Sequence, residues 1–351
     1  MRASDLSALP AGTHVREYEI LSVLGGGQTS LVYKAYDGML GRHVTLKEYL
    51  PAAFAARDER DERSQLVALP GKDEAFNAGL RRFIAEARAM TQFDHFALRR
   101  AYQFFLEGGS AYIVMPYYQG MTLRAKVHNN WRITQIGDLL MIVLPVLEGL
   151  SALHRANYCH CGVSPDNILI QDNDEPLLLD FGAIRQLEEY TGDCTPGDLT
   201  AGFAALEQYD TSRNDISIGA WTDIYAVSAV VYYIVTGIVP AAPMARLAHD
   251  ALRPLAGFAT TELPARLLEV FDQGLSVLPQ ERFMNLGAFV NALDAGVQGA
   301  IAQSSPATMA AAREILSVAS AASLHSPRIR KILRSVWALR DRMRQQGAAG
   351  S

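Results

Sequence analysis

The sequence predicts an α+β fold with a β-rich first part and a larger, mostly helical second part. Short runs with strand-like alternation, separated by glycine-rich turns, fill residues 18–49 and 101–115. Two long apolar stretches, residues 139–147 and 226–239, are too short or too mixed to span a bilayer and instead predict buried core helices. The corresponding helices are predicted over residues 136–156 and 224–236. With 351 residues, 49% of them hydrophobic, the chain is long enough for a large core in one or two compact units.

Charge and cysteine content narrow the class of protein. The net charge of -5 gives no basic excess, so no nucleic-acid partner is predicted. Three cysteines form no disulfide framework, and they favour a reducing cytoplasm. Residues 1–16 lack the apolar core of a signal peptide and are predicted to form a flexible leader.

The triplet Cys159-His160-Cys161 invites a metal-binding interpretation. Adjacent ligands do not easily converge on one ion, and structural zinc sites use wider spacings. The triplet is therefore predicted to be a set of small residues in a packed loop.

The first part of the chain carries a glycine-rich turn and two charged residues of interest. Residues 18–35 predict two strands joined by Gly25-Gly26-Gly27, a turn that permits close backbone approach to a ligand. Residues 43–49 predict a third strand carrying Lys47. Residues 51–79 are polar and predict an irregular insertion. Helical periodicity over residues 76–91 then predicts a helix carrying Glu86.

The chain is organised around residues 158–182. Turn-forming residues separate two short apolar runs there, which predicts a hairpin. Asn167 lies just before the first strand and Asp180 just after the second, so a hairpin would hold the two side chains close together. An amide oxygen beside a carboxylate suits a hard cation such as Mg²⁺.

These motifs, in this order, resemble those of the protein kinase family, and most closely those of bacterial Ser/Thr kinases. The catalytic and metal loops of that family read H-R-D-x-K-P-x-N and D-F-G. The matching residues here are His160, Pro165, Asn167, Asp180, Phe181 and Gly182. The resemblance implies a bilobal kinase-like domain over residues 17–296, with an N-lobe (17–115), a hinge (116–120) and a C-lobe (121–296).

The resemblance also implies an ATP·Mg²⁺ site. The residues assigned to the nucleotide are Gly25, Gly27, Val32, Lys47, Glu86, Met115, Pro116 and Tyr118. Within that set Lys47 would pair with Glu86 and grip the phosphates, and Met115 would guard the adenine pocket. The hinge would use the Pro116 carbonyl and the Tyr118 N–H, so the missing N–H of proline need not prevent binding. Asn167 and Asp180 would hold the metal.

Five further residues are given structural roles by the resemblance: His160, Phe181, Glu207, Asp223 and Arg282. Asp223 would tie its helix to the backbone of the catalytic loop. Arg282 would pair with Glu207, which survives from the family's A-P-E motif although the proline is lost.

The chain departs from the family where the substrate proton is handled. Gly162 occupies the position of the catalytic Asp, Ser164 that of the catalytic-loop Lys, and Cys161 that of the Arg. No catalytic residue is therefore intact at these positions. Asp166 is the nearest carboxylate, and it is not expected to face the substrate.

The leading hypothesis is a pseudokinase that binds ATP and Mg²⁺ and regulates or scaffolds a protein partner in bacterial signalling. That partner could be an active kinase, a phosphatase, or a component of a signalling or secretion complex. An active Ser/Thr kinase with an atypical catalytic loop is the alternative, and another nucleotide-dependent transferase on the same fold is a third. A scaffold without nucleotide would leave the shared presence of Lys47, Glu86, Asn167 and Asp180 unexplained.

Residues 297–351 lie outside the resemblance and predict a helical extension. Residues 328–344 place apolar side chains on one face and basic ones on the rest. A helix docked on the kinase-like body is favoured over a helix that binds a partner or a membrane surface.

Overall fold

The computed structural model describes residues 8–58, 65–181, 183–187, 199–209 and 217–301, with side chains described up to residue 297. The chain divides into two compact units, Met1–Gln119 and Gly120–Ser351. The division falls inside the predicted hinge. The first unit is built on a β-sheet with one long helix and the second is mostly helical, which confirms the predicted fold class.

The first unit contains a six-stranded antiparallel sheet in the order β1-β2-β3-β4-β8-β7. The bounds of its elements are β1 His14–Val15, β2 Tyr18–Gly26, β3 Ser30–Asp37, β4 Arg42–Tyr49, β5 Ala55–Arg57, β6 Leu66–Ala68, α1 Asp73–Gln92, β7 Gln103–Glu107 and β8 Ser110–Pro116. β5 and β6 form a separate small hairpin. The central strands are buried because their apolar residues face the core, as at Ile20, Tyr33, Leu46 and Ile113.

Two predicted boundaries in the first unit differ from the structure. The predicted flexible leader, residues 1–16, is packed from about residue 9: Leu9 is buried, its N–H donates to the Tyr33 hydroxyl (3.1 Å), and β1 pairs with β2. A two-residue strand and isolated apolar positions leave no periodic pattern to read. The predicted insertion is also partly ordered, since β5, β6 and the start of α1 lie within residues 51–79.

The second unit is mostly helical. The bounds of its elements are β9 Gly120–Thr122, α2 Leu123–His128, α3 Ile136–Arg155, β10 Tyr158–Cys159, β11 Ile168–Gln171, β12 Pro176–Leu178, β13 Arg185–Gln186, α4 Leu206–Tyr209, α5 Ala220–Thr236, α6 Pro243–Ala248, α7 Ala265–Gly274 and α8 Leu286–Ile301, with 3₁₀ turns at Leu255–Phe258 and Pro279–Glu281. The predicted hairpin is present as β11 and β12, with Ile168 opposite Leu178.

Helices α3 and α5 form the core of the second unit. Among the described residues, α3 is long and apolar enough to cross a membrane, but most of it is buried inside the unit. Helix α5 is buried on nearly all sides and ends at Gly237, whose φ of 77° is the left-handed conformation that commonly closes a helix. Both observations agree with the prediction of buried core helices.

The predicted end of the kinase-like domain at residue 296 falls within α8, which continues to Ile301. The basic amphipathic segment 328–344 lies outside the described residues, so its predicted docking stays a prediction.

Candidate functional site

The residues predicted to hold the nucleotide belong to the first unit, and three of them lie side by side across the sheet. In the strand register Val32 on β3 is opposite Gly25 on β2 and opposite Lys47 on β4. A Cβ atom added at Gly25 or Gly27 would meet no atom within 4 Å. The backbone of the glycine turn is therefore open on that side, as close approach to a phosphate requires.

Lys47 forms a buried ion pair with Glu86 of helix α1. Its Nζ lies 2.7 Å from Glu86 Oε1, and the two side chains are only 9% and 7% exposed. A charge pair buried to this extent is costly to desolvate, so its presence points to a role beyond stability. The predicted pairing is present in the structure.

The hinge begins at Pro116, the last residue of strand β8. Met115 is buried opposite Thr45, and the Thr45 hydroxyl donates to the Pro116 carbonyl (3.3 Å). A carbonyl oxygen has two lone pairs, so this bond leaves capacity for a second donor. Tyr118 is half-buried, and burial raises the pKa of its hydroxyl. The structure is thus compatible with the predicted use of the hinge backbone.

In the second unit, Asp223 on α5 anchors the loop that follows β10. Its carboxylate is fully buried and accepts the backbone N–H groups of His160 and Cys161, both at 2.9 Å. Burial raises the pKa of this carboxyl, but hydrogen bonds and charge from His154 and the loop bring it below its usual value. The predicted tie between Asp223 and the loop backbone is present.

His160 and Phe181 are packed against each other with ring centroids 5.5 Å apart, and neither side chain is exposed. Burial lowers the pKa of His160. Its Nδ1 accepts the Gly162 N–H (3.2 Å), which fixes the turn that follows. Gly182, the last residue of the D-F-G motif, lies outside the described residues.

The positions of the family's catalytic Asp and Lys carry no proton acceptor or cation. Gly162 has no side chain, and a Cβ built there would lie 3.1 Å from Ala183 Cβ. Ser164 is 1% exposed, and its Oγ has no hydrogen-bond partner within the described part of the chain. Neither residue supplies a base or a charge at the site.

Asp166, the nearest carboxylate in the loop, is held by Arg124 of helix α2. The guanidinium binds both carboxylate oxygens, with the shortest contact at 2.8 Å. Arg124 also lies over the rings of Phe203 and Tyr233. The ion pair holds the Asp166 carboxylate on Arg124, in agreement with the expectation that Asp166 does not face the substrate.

Asn167 and Asp180 lie at the two ends of the β11–β12 hairpin. The Leu179 N–H donates to the Asn167 carbonyl (2.8 Å), which places Asn167 beside the residue preceding Asp180. Asn167 Nδ2 donates to the Gly162 carbonyl (2.8 Å), leaving the amide oxygen for a cation. A carboxylate and an amide oxygen are the hard donors that Mg²⁺ prefers, so these residues fit the predicted metal.

Arg282 and Glu207 form a second buried ion pair, and neither side chain is exposed. The closest contact is 2.8 Å, from Arg282 Nη1 to Glu207 Oε1. Arg282 also donates to three backbone carbonyls, and the Thr222 hydroxyl donates to Glu207 (2.7 Å). The predicted pair thus joins α4, α5 and the 3₁₀ turn after α7.

Several residues of these networks were not identified from the sequence. Arg124 and His154 had no motif to mark them. Glu48, next to Lys47, is fully buried and accepts hydrogen bonds from Tyr33, Tyr112 and Arg57 at 2.7 Å. A charged residue in an inward register position of a central strand was the available signal for Glu48.

Comparison with known proteins agrees with this arrangement. The family profile described as "Protein kinase domain" matches residues 18–262. The serine/threonine-protein kinase PknL of Mycobacterium bovis is 30% identical over 285 residues, which cover 79% of this chain and 65% of PknL. A probable serine/threonine-protein kinase PknB of Corynebacterium glutamicum is 31% identical, over 64% of this chain and 32% of its own length.

A solved structure titled "PpkA-294 apo form" has a similar fold. The TM-score is 0.71 at 31% identity, and the match covers 82% of this chain and 99% of that one. The chain thus spans under two thirds of the length of PknL but nearly all of the PpkA-294 structure.

Proposed function

Since this chain belongs to the protein kinase family and is related to bacterial Ser/Thr kinases, we propose that it is a pseudokinase that binds ATP with Mg²⁺. The proposal rests on a contrast between the nucleotide-binding residues and the catalytic loop. The Lys47–Glu86 pair is formed, whereas Gly162 and Ser164 leave the catalytic loop without a base or a cation. The residues for holding nucleotide are kept and those for using it are lost.

The expected decrease in the rate of phosphoryl transfer decides whether the protein is a slow enzyme or an inactive one. A positioned base contributes roughly 10²–10⁴-fold to a proton-transfer step. Removing one electrostatic stabiliser of the transition state costs about another 10²-fold. Kinases turn over at about 1–100 s⁻¹, so both losses together leave a rate that has no use in signalling.

On the nucleotide side, Lys47 donates to phosphate oxygens and Glu86 holds the lysine in position. Asn167 and Asp180 hold Mg²⁺, which neutralises phosphate charge when it is bound. The glycine turn contributes backbone N–H groups.

A module that binds nucleotide without transferring phosphate acts through a protein partner. The partner that fits is a kinase, a phosphatase or a component of a signalling or secretion complex in the cytoplasm. ATP then serves to stabilise the conformation that the partner recognises.

An active Ser/Thr kinase is the second candidate, because the Lys47–Glu86 pair is formed and the relatives named above are described as kinases. Asp166 would have to leave Arg124 to act as the base. Asp166→Asn would then abolish transfer, whereas a pseudokinase shows no transfer to lose.

Lys47→Ala is expected to weaken Mg·ATP binding by roughly 10–100-fold. The reason is the loss of a charge-assisted hydrogen bond to phosphate, which contributes about 1.5–3 kcal/mol. Isothermal titration calorimetry with Mg·ATP measures the change.

Lys72→Ala is the matched control, because Lys72 is exposed in the same unit. It should leave the affinity unchanged. Lys47→Ala also leaves the buried Glu86 carboxylate without its partner and could unfold the protein. In that case the double variant Lys47→Met/Glu86→Gln, which removes both charges, replaces the single variant in the measurement. Unchanged affinity in folded protein would contradict nucleotide binding at this site.

A further inference from the structure

Three potential metal ligands from separate elements meet beneath the loop that holds Gly162. They are His154 at the end of α3, Cys159 in β10 and Asp223 in the first turn of α5. The imidazole nitrogen, the thiol sulfur and a carboxylate oxygen all lie within 4.8 Å of one another. Cys159 and Asp223 are fully buried, and His154 is largely so.

Cys161 packs in the same buried cluster as Cys159 but is not one of these three ligands. Its φ of 58° lies in the left-handed region. The metal-binding cluster therefore contains one imidazole nitrogen, one sulfur and one carboxylate.

We propose that His154, Cys159 and Asp223 bind one Zn²⁺ ion. Nitrogen, sulfur and carboxylate donors are the protein ligands of zinc, and a site with three of them takes a water molecule as the fourth ligand. The ion is separate from the Mg²⁺ proposed at Asn167 and Asp180, and its binding does not depend on ATP.

The distances suit an ion-free cluster that expands slightly on binding. His154 Nε2 is 2.7 Å and Cys159 Sγ is 3.3 Å from Asp223 Oδ2. Zinc bond lengths of about 2.0–2.3 Å imply separations of about 3.3–3.8 Å between tetrahedral ligands. Movements of roughly half an ångström would therefore make room for the ion, and side-chain adjustment can supply them.

Two backbone N–H groups already orient the Asp223 carboxylate. The backbone N–H groups of His160 and Cys161 donate to its two oxygens. Hydrogen bonds of this kind to a ligating carboxylate fix its direction and are typical of metal sites. The carboxylate can keep both bonds while it takes the ion in the remaining direction.

The charge balance also favours a cation. On binding, the Cys159 thiol loses its proton to solvent and forms a Zn–S bond, so one thiolate and one carboxylate surround Zn²⁺ with a net charge of zero. A site without net charge is the least costly to bury. Without the ion, the thiol donates to the Gly219 carbonyl.

This ligand set differs from the Cys159-His160-Cys161 triplet that the sequence displays. His160 takes no part, since its ring packs on Phe181 and its Nδ1 faces the Gly162 N–H. Residues 159–161 do not converge on one ion, as the sequence predicted. The fold instead brings Cys159 together with His154 and Asp223, which are distant in sequence.

A zinc ion here would tie α3, β10 and α5 together beneath the catalytic loop. It would fix the loop independently of phosphorylation. We therefore expect the metal to raise the melting temperature of the full chain.

The test is Co²⁺ substitution of the full-length, chelator-treated protein, followed by absorption spectroscopy, with zinc content measured by elemental analysis. The expected result is one equivalent of metal and a thiolate-to-cobalt charge-transfer band in the near ultraviolet. Cys159→Ser should remove the band and at least nine tenths of the bound metal. Cys161→Ser should retain the band, because Cys161 is not one of the three ligands. Cys194→Ser, the third cysteine, should change neither.

Two results would overturn the proposal. One is a wild-type Co²⁺ spectrum without a thiolate band, which needs no variant and so is independent of folding. The other is a band that survives Cys159→Ser or is lost in Cys194→Ser. In either case the cluster is a hydrogen-bonded anchor of the loop and binds no metal.

Discussion

Replacing Gly162 with Asp and Ser164 with Lys should raise phosphoryl transfer to a protein acceptor by at least roughly 100-fold. The aspartate would supply the proton acceptor and the lysine a cation near the transferred phosphate, and the two contributions are about 10²–10⁴-fold and 10²-fold. Transfer of label from γ-labelled ATP to a generic acceptor measures the gain.

The experiment requires that the two new side chains fit into their packed surroundings. A side chain at Gly162 begins 3.1 Å from Ala183 Cβ, so that neighbour must move by a few tenths of an ångström. Ser164 is buried, and a lysine there must extend its ammonium group out of the core. The triple variant with Ala183→Gly removes the close contact and should transfer at least as fast as the double variant.

The matched control is Gly162→Asn/Ser164→Lys, which has nearly the same shape but no basic carboxylate. Its rate should stay well below that of the aspartate variant. Equal rates in the two variants, or no gain in folded aspartate variants that still bind ATP, would show that more of the site is lost than these two residues.

Arg282→Met should lower the free energy of unfolding by about 3–5 kcal/mol. Breaking a fully buried ion pair leaves the Glu207 carboxylate uncompensated, and that is where most of the cost lies. Three backbone carbonyls also lose their donor. Urea unfolding followed by far-ultraviolet circular dichroism measures the loss.

Two further variants separate the cost of an unpaired buried charge from the cost of losing an ion pair near the surface. Adding Glu207→Gln should recover part of the stability, because it removes the stranded charge. Asp166→Asn breaks the Arg124–Asp166 pair in the same unit, where Asp166 is 53% exposed, and should cost no more than about 1 kcal/mol. If Arg282→Met costs as little as Asp166→Asn, the pair is not a support of the fold.

The sequence predicted the elements with strong local patterns. The helix predicted over residues 136–156 has ends within one residue of those of α3. The β11–β12 hairpin was predicted from two apolar runs on either side of a turn. The Lys47–Glu86 and Arg282–Glu207 pairs were found because both members lie in ordered motifs. In each case the signal was a periodicity or a fixed spacing.

The features that the sequence did not predict depend on contacts between residues that are distant in the chain. Nothing local marks Arg124 as the partner of Asp166, since the pair forms only when α2 and the loop after β10 meet. The same holds for His154 and Cys159, which reach Asp223 across the core. The structure of residues 9–16, in which Leu9 and Val15 are buried, escaped prediction because a single strand pair there carries no pattern.

The most direct test of the proposed function is to incubate the full chain with Mg²⁺ and ATP labelled separately at the α- and γ-phosphates, with and without a protein acceptor. Asp180→Ala is the control for metal-dependent transfer. We predict saturable ATP binding with no label transferred from either position. Transfer from the γ-phosphate alone, lost in Asp180→Ala, would show a working kinase and contradict the proposal, and label retained from the α-phosphate would show a nucleotidyl transferase.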